Sequence, residues 1–320
     1  MTAATLAAAL RAGWLERHAI WIALAGLLGV AVLLSDAFLQ PNYLFNMVRQ
    51  AAPAGIAAVG VTLVMIMGGV DLSVGAVISL SAVVAAVLMD GRAGNIAPAV
   101  GITLLIGAAV GLANGLLLAF NRASPFIVTL GTAVAVYGLT QIYSGGTARG
   151  VVAPGFREFF NLRLGGLVPV LALLFLGVTA AGALIQRATR YGRSLYLVGS
   201  NPRAAGLAGL PVAWLTVATY TASGLLAAVG GLALLARSGV SSTFAGRGFE
   251  FEALAAVVLG GTTFEGGRGG IGGTVAGIFV LFVAFNLVNI VGLNYNVQRV
   301  VEGVIIIVAS AAYTVLKAER

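Results

Sequence analysis

Among the 320 residues, Asp71 is the carboxylate whose setting most demands an explanation. A glycine pair, Gly68-Gly69, interrupts an apolar run just before it, and Leu72-Ser73 follows before the run resumes. An ionisable group within apolar sequence is costly, so some structural or functional gain must offset it. Two readings apply. In the first, Asp71 or Ser73 accepts the orphan N–H groups of a helix that starts nearby. In the second, Asp71 takes part in gating or lines a solute path. They are compatible if the cap sits at a moving joint. Asn114, Asn286 and Asn289 place amides inside apolar runs, where they either bond neighbouring helices or offer hydrogen bonds to a solute in a wet cavity. Phe126, Phe282 and Phe285 offer aromatic faces to a ring-shaped solute, although phenylalanine serves equally well for packing or lipid contact.

Much other chemistry is excluded. With no cysteine there is no disulfide, thiolate metal site or cysteine nucleophile. The single histidine, His18, precedes the first apolar run and reads as an interfacial residue, so histidine metal ligation and triads are not expected. Lys317 is the only lysine, and no phosphate-binding Gly-x-x-x-x-Gly-Lys-Ser/Thr loop or Gly-x-Ser-x-Gly elbow occurs. The chain is expected to have no catalytic residues, no metal and no cofactor of its own.

The elements that must position these residues follow from composition. Hydrophobic residues make up 60% and charged ones 9%, with a mean hydropathy of +1.04. Soluble domains carry about 25% charged residues, so this surface faces lipid. The net charge of +8 is spread between apolar runs, as for loops beside anionic headgroups, and does not indicate nucleic acid. Apolar runs predict spans at 19–35, 46–68, 73–89, 96–119, 125–144, 166–186, 213–236, 251–264, 271–291 and 298–316. The fold expected is an all-α polytopic membrane helix bundle of about ten transmembrane helices with a central cytoplasmic coupling loop. The eighth run is short and flanked by glycine, which suggests a broken or re-entrant helix.

Residues 1–18 read as a cytoplasmic lead into an uncleaved first span, 19–316 as the transmembrane domain, and 317–320 as a cytoplasmic tail. The arginines crowded into 187–203 (Arg187, Arg190, Arg193 and Arg203), with Arg11, Arg17, Arg122, Arg268, Lys317 and Arg320, favour both termini inside. Gly111 and Gly115, and Gly269, Gly273 and Gly277, recur every fourth residue, a spacing that lets helices approach closely in lipid. The stretches Gly68–Gly75 and Gly260–Gly267 are also alike: each breaks an apolar run with a glycine pair and adds a carboxylate, Asp71 or Glu265. Paired interruptions of this kind lie near the substrate path in many transporters.

Residues 187–212 form the longest polar stretch between apolar runs, punctuated by Gly192, Gly199, Asn201-Pro202, Gly206, Gly209 and Pro211. Ser200 or Asn201 is placed to cap a helix beginning at Pro202. This segment reads either as a plain connecting loop or as short helices that dock a motor protein. Elsewhere, Arg149, Arg157, Glu158, Arg163, Arg247 and Glu250, with Glu252 and Glu302 toward the outer span ends, suggest an external docking surface.

Several blocks resemble the ribose-type sugar permeases of ATP-binding cassette (ABC) importers, within the wider branched-chain and sugar permease superfamily. The 187–212 segment supplies the coupling-loop pattern through Gly192-Arg193, Tyr196, Gly199-Ser200-Asn201, Ala204-Ala205 and Gly209-Leu210. Met67–Gly75 is similar to that family's Gly-(Ile/Val)-Asp-Leu-Ser-Val-Gly signature. Gly111–Gly115, Pro125–Gly131 (which contains Phe126 and Thr129) and Ala255–Thr262 follow in the family's order. One departure is Pro202-Arg203, where many relatives place an acidic residue.

The resemblance implies a dimer of this chain with a second copy or a homologue in the inner membrane of a prokaryote. Two ABC ATPase subunits, holding the ATP and Mg, would grip the coupling residues, and an extracytoplasmic solute-binding protein would deliver a sugar. It adds Thr129 to the candidate path residues. Nucleosides or branched-chain amino acids are the alternative solutes, and an ion-coupled secondary transporter the alternative mechanism.

Overall fold

A computed structural model describes residues 3–121 and 123–318, with side chains placed for 18–121, 123–294 and 296–307. Arg122 and Arg320, used above for orientation, lie outside the described residues, and only the backbone is placed for Arg11, Arg17 and Lys317.

Thirteen α-helices make up almost all of the described chain. The first half holds α1 (Ala3–Leu34), α2 (Pro41–Ile66), α3 (Val74–Met89), α4 (Ile96–Phe120), α5 (Pro125–Ser144) and the short α6 (Pro154–Asn161). A two-residue ribbon, β1 (Arg163–Leu164) against β2 (Val168–Pro169), leads into α7 (Val170–Ala188) and is a small departure from the all-α expectation. Then come α8 (Arg190–Ser200), α9 (Pro202–Leu207), α10 (Val212–Ser238), α11 (Phe249–Leu259), α12 (Ile271–Ile290) and α13 (Tyr295–Ala318).

Every expected span falls on a helix, but the helices are unequal. Among the described residues, α2, α4, α5, α7, α10 and α12 are long and apolar enough to cross a membrane. The apolar part of α1, His18–Leu34, and all of α3 are shorter. At 11 residues α11 is about 16 Å long, half of the roughly 30 Å hydrocarbon core, so it cannot cross alone.

The most apolar part of α2 is 89% buried, whereas those of α4 and α5 are 22% buried. So α2 is the centre of the bundle, while α4 and α5 present broad faces to lipid. The helix packed most extensively in the bundle, α10, lies against α4, α2 and α3. Its contact with α4 runs along small residues. Gly107 meets Gly224 and Ala228, Gly111 meets Tyr220 and Thr221, and a methyl on Gly115 would lie 2.7 Å from the Cα of Val217. The same device joins α12 to α11: Gly273 lies on Gly260, and Gly277 on Ala256. Gly269 does not take part, because it precedes α12 and meets Thr262 instead.

The chain after α10 explains why α11 is short. Residues 239–248 do not stay at the end of the bundle but fold inward, where Gly246 N–H donates to Ser79 Oγ at 2.8 Å and packs on Gly75. α11 therefore begins within the bundle, beside the first turns of α3, as the broken or re-entrant reading anticipated.

The close approach of α4 to α10 sets a test. Gly111→Val drives a branched side chain into the backbone at Tyr220 and is expected to cost about 1–3 kcal/mol, lowering the thermal unfolding midpoint in mild detergent. Gly101→Val, on the open face of the same helix where no atom lies within 4 Å, should leave that midpoint almost unchanged.

Candidate solute path and coupling site

The break between α2 and α3 is a knot of hydrogen bonds. Ser223, on α10, lies about 16 Å along a helix about 40 Å long, so its partner Asp71 sits at mid-depth. Asp71 Oδ2 accepts from Ser223 Oγ at 2.7 Å, and its Oδ1 accepts from Ser73 N–H at 3.0 Å and Ser73 Oγ at 2.6 Å. The carboxylate thus lies at the N-terminal end of α3, where the helix dipole favours negative charge. Asn114 Nδ2 donates to Ser73 Oγ at 3.0 Å, and Thr132 Oγ1 donates to Asn114 Oδ1 at 2.6 Å, which ties α4 and α5 to the same point. Thr129 Oγ1 accepts from Leu72 N–H at 3.1 Å, and Tyr220 O–H donates to Val70 C=O at 3.2 Å. Asp71, Ser73, Asn114 and Thr129 are therefore brought together, fully buried, with Asp71 accepting from the backbone N–H of Ser73, the residue just before α3. The chain signature did not point to Ser223, Tyr220 or Thr132. For Ser223 and Tyr220 the signal was a row of polar residues, Thr219, Tyr220, Thr221 and Ser223, inside an apolar run.

The other path candidates lie elsewhere. Phe282, Phe285, Asn286 and Asn289 line a cavity of about 210 Å³ between α2, α10, α11, α12 and α13. It lies at the end of the bundle away from α8, since it takes residues from the start of α2 and the end of α12. The two phenylalanine rings meet nearly edge to face, 5.7 Å apart. Arg299 completes a charged wall, with its Nη1 3.0 Å from Glu302 Oε2 and 3.7 Å from Glu252 Oε1. Gln298 Nε2 donates to Asn289 Oδ1 at 2.6 Å, and Tyr43 O–H donates to Asn286 Oδ1 at 3.1 Å.

Sequence reading placed Asp71 alone among the carboxylates at depth. The structure corrects this, because Glu252 and Glu302 are buried as well. The inward fold of 239–248 carries the start of α11 below the surface, and the paired Glu302 follows α13 in beside it. Phe126 joins neither site and is half-exposed on α5.

The 187–212 segment forms two short capped helices. Thr189 Oγ1 accepts from Gly192 N–H at 3.1 Å to start α8, and Asn201 Oδ1 accepts from Ala204 N–H at 3.0 Å to start α9. Of the two candidate caps, Asn201 is the one used. Gly192, Gly199 and Ala205 face inward, while Arg193, Arg203 and Leu207 project, the last 92% exposed. Ala204 and Gly209 lie on the open side with Arg203, and Leu210 packs back against the bundle.

The inner face of α8 touches both chain interruptions at once. Gly267 N–H donates to Ile66 C=O at 2.8 Å. A methyl on Gly266 would lie 2.7 Å from Gly68 N and 3.1 Å from Gly199 Cα. Gly68 and Gly266 have φ of +85° and +81°, a region natural to glycine. Ser200 packs on Gly267, and Tyr196 O–H donates to Gly269 C=O at 2.8 Å while accepting from Gln186 Nε2. Gln186 Oε1 in turn accepts from Ile271 N–H at 3.0 Å, at the start of α12.

The candidate docking residues are scattered. Arg163 donates to Asn42 and Asn46, and Arg157 packs on Gly239. The Arg149 carbonyl accepts from Ser241, Glu158 is exposed, and the Arg247 guanidinium stands 5.9 Å from the centre of the Phe244 ring. Glu250 instead turns inward, accepting from Gly248 N–H at 3.0 Å and lying against Gly75.

Asp71→Ala would strand the hydroxyls of Ser73 and Ser223 and the Ser73 N–H, at about 1–3 kcal/mol for each buried group left unpaired. Its thermal midpoint in detergent should fall well below that of Asp71→Asn, which keeps an acceptor for Ser73. Equal midpoints for the two variants would show that the knot is not what holds the break.

Residues 43–310 match the family described as branched-chain amino acid transport system / permease component. The ribose import permease RbsC of Escherichia coli K12 is 37% identical over 306 residues, covering 92% of this chain and 93% of the relative. RbsC of Bacillus subtilis is 36% identical over 307 residues, covering 93% and 92%. The galactose/methyl galactoside import permease MglC of Haemophilus influenzae is 32% identical over 315 residues, covering 93% and 94%. No solved structure matches the chain. With the family matched over most of its length and relatives aligned nearly end to end, the chain belongs to the branched-chain amino acid transport system permease family.

Proposed function

We propose that this chain is the membrane-spanning permease subunit of an ABC importer for a monosaccharide. The sugar class rests on the ribose and galactose permeases to which it is similar. In this reading two copies, or this chain and a homologue, form the path in the inner membrane of a prokaryote with both termini inside. ATP and Mg belong to separate ATPase subunits, and a binding protein delivers sugar at the end away from α8.

The observation that carries the coupling role is the two-sided character of α8 and α9. One side presents Leu207, Arg203 and Arg193 to a partner. The other is keyed by Gly199, Ser200 and Tyr196 into the breaks before α3 and before α12. Force applied to α9 from outside the bundle is passed to both discontinuities, one of which ends at the Asp71 knot. Hydrolysis then acts by favouring one arrangement of the helices over another.

An ion-coupled mechanism draws some support from the buried carboxylates. Yet Glu252 and Glu302 lie beside Arg299, and Asp71 is occupied by hydroxyl and amide donors. A resident charge network of this kind fits a bundle held together by its polar groups better than a bare ion site.

Leu207→Asp combined with Arg193→Glu changes only exposed positions of α9 and α8, so the thermal midpoint should hold. Retention of the ATPase subunit during purification should fall by roughly tenfold or more, as for a contact at the centre of an interface. Undiminished ATPase retention, or sugar uptake that persists without ATP, would overturn the proposal.

A further inference from the structure

The cavity at the end away from α8 has the chemistry of a sugar-binding subsite. We infer that Phe282, Phe285, Asn289, Gln298 and Glu302 form a monosaccharide-binding station within a single permease chain, an inference that rests on the importer reading above.

Size comes first. At about 210 Å³ the cavity falls below the roughly 300–1,000 Å³ typical of pockets for drug-sized ligands, so it suits one sugar ring and not an oligosaccharide. Charge comes second. Arg237, Arg299, Glu252 and Glu302 all line it, with Arg299 paired to both glutamates, so the formal charges of these four side chains cancel. Such a wall offers strong donors and acceptors without selecting for a phosphate or a carboxylate. A neutral solute with many hydroxyls fits it.

The walls also differ in kind, as a sugar does. Phe282 and Phe285 are buried to below 10% exposure and supply an apolar surface for ring C–H groups. Beside them, on the same face of α12, stands the amide of Asn289, joined by a hydrogen bond to the amide of Gln298 on α13. Glu302 gives an independent sign of a ligand. Only 3% exposed, it bonds Arg299 through Oε2, while its buried Oε1 has no hydrogen-bond partner among the described residues. Buried polar atoms are seldom left unsatisfied, and an exception calls for an occupant. That oxygen is closed off from the cavity in this conformation, so a sugar hydroxyl reaches it only if the Glu302 side chain, held through Oε2 by Arg299, turns toward the cavity.

This station lies away from the Asp71 knot, so recognition and gating are assigned to separate groups. A solute delivered at the outer end would meet the aromatic and amide walls first, and only afterwards the joint that α8 controls.

The test uses the complete transporter, reconstituted with its ATPase and binding protein in liposomes, with radiolabelled D-ribose and D-galactose as probes. Asn289→Ala and Gln298→Ala change residues that are exposed or partly so, which keeps folding intact. Each is expected to raise the KM for uptake about tenfold, the loss of one or two hydroxyl contacts, with ATP hydrolysis stimulated by the binding protein retained. Phe285→Ala should act likewise, and Phe285→Trp should restore much of the loss, which a purely structural role would not predict. Unchanged KM in Asn289→Ala and Gln298→Ala, beside active wild-type transporter, would overturn the station and leave the importer reading standing. Failure of the wild-type chain to assemble with an ATPase would instead remove the importer reading on which the station rests.

Discussion

A chain that leaves its helical path inside lipid must find a partner for every backbone group it frees, because no water is there to take them. The rest of this architecture follows from that constraint. Between Ile66 and Val74 the helix stops, and three of the freed groups are met from other elements: Val70 C=O by Tyr220, Leu72 N–H by Thr129, and Ile66 C=O by Gly267, while Ser73 N–H is met within the break by Asp71. The donors and acceptors come from α5, α10 and the loop before α12. A break satisfied in this way is also a junction. It cannot shift without pulling on three other parts of the bundle.

The apolar periodicity of the chain made the helices legible. All ten apolar runs proved helical, the short eighth run proved to start inside the fold, and Asn201 caps the helix that begins at Pro202. The glycine spacing on α4 and α12 read correctly as close packing. These features depend on local sequence, which a single chain displays. What the sequence did not display was the pairing of distant positions. Nothing near Ser223 in the sequence announces that it will meet a carboxylate 152 residues away. Glu252 and Glu302 looked like span-end charges because their burial depends on the inward path of 239–248, a tertiary feature without a motif.

The likeness between the Gly68 and Gly260 interruptions had a spatial meaning that sequence could only suggest. The two glycine-rich turns touch, and Gly199 of α8 closes the contact from the third side. A methyl on Gly199 or Gly266 would intrude on backbone, while at Gly68 the positive φ is what favours glycine. Glycine there is required by proximity as much as by backbone angle. The outcome is a compact mechanical node between a surface helix and two buried discontinuities, built almost wholly from main chain.

The inward start of α11 also bears on how the chain is made. A segment of 11 residues is too short to be held across a bilayer by its own hydrophobicity as it leaves the ribosome. Its surroundings, α3 at one end and the glycine seam of α12 along its length, come from opposite sides of it in the sequence. So α11 is stably placed only when α12 has emerged and folded back along it as a hairpin, and when 239–248 has found Ser79. Until that moment Glu252 has no enclosed setting. The wall of the cavity away from α8 is therefore among the last parts of the bundle to close during biogenesis, after the core around α2 and α10 is in place.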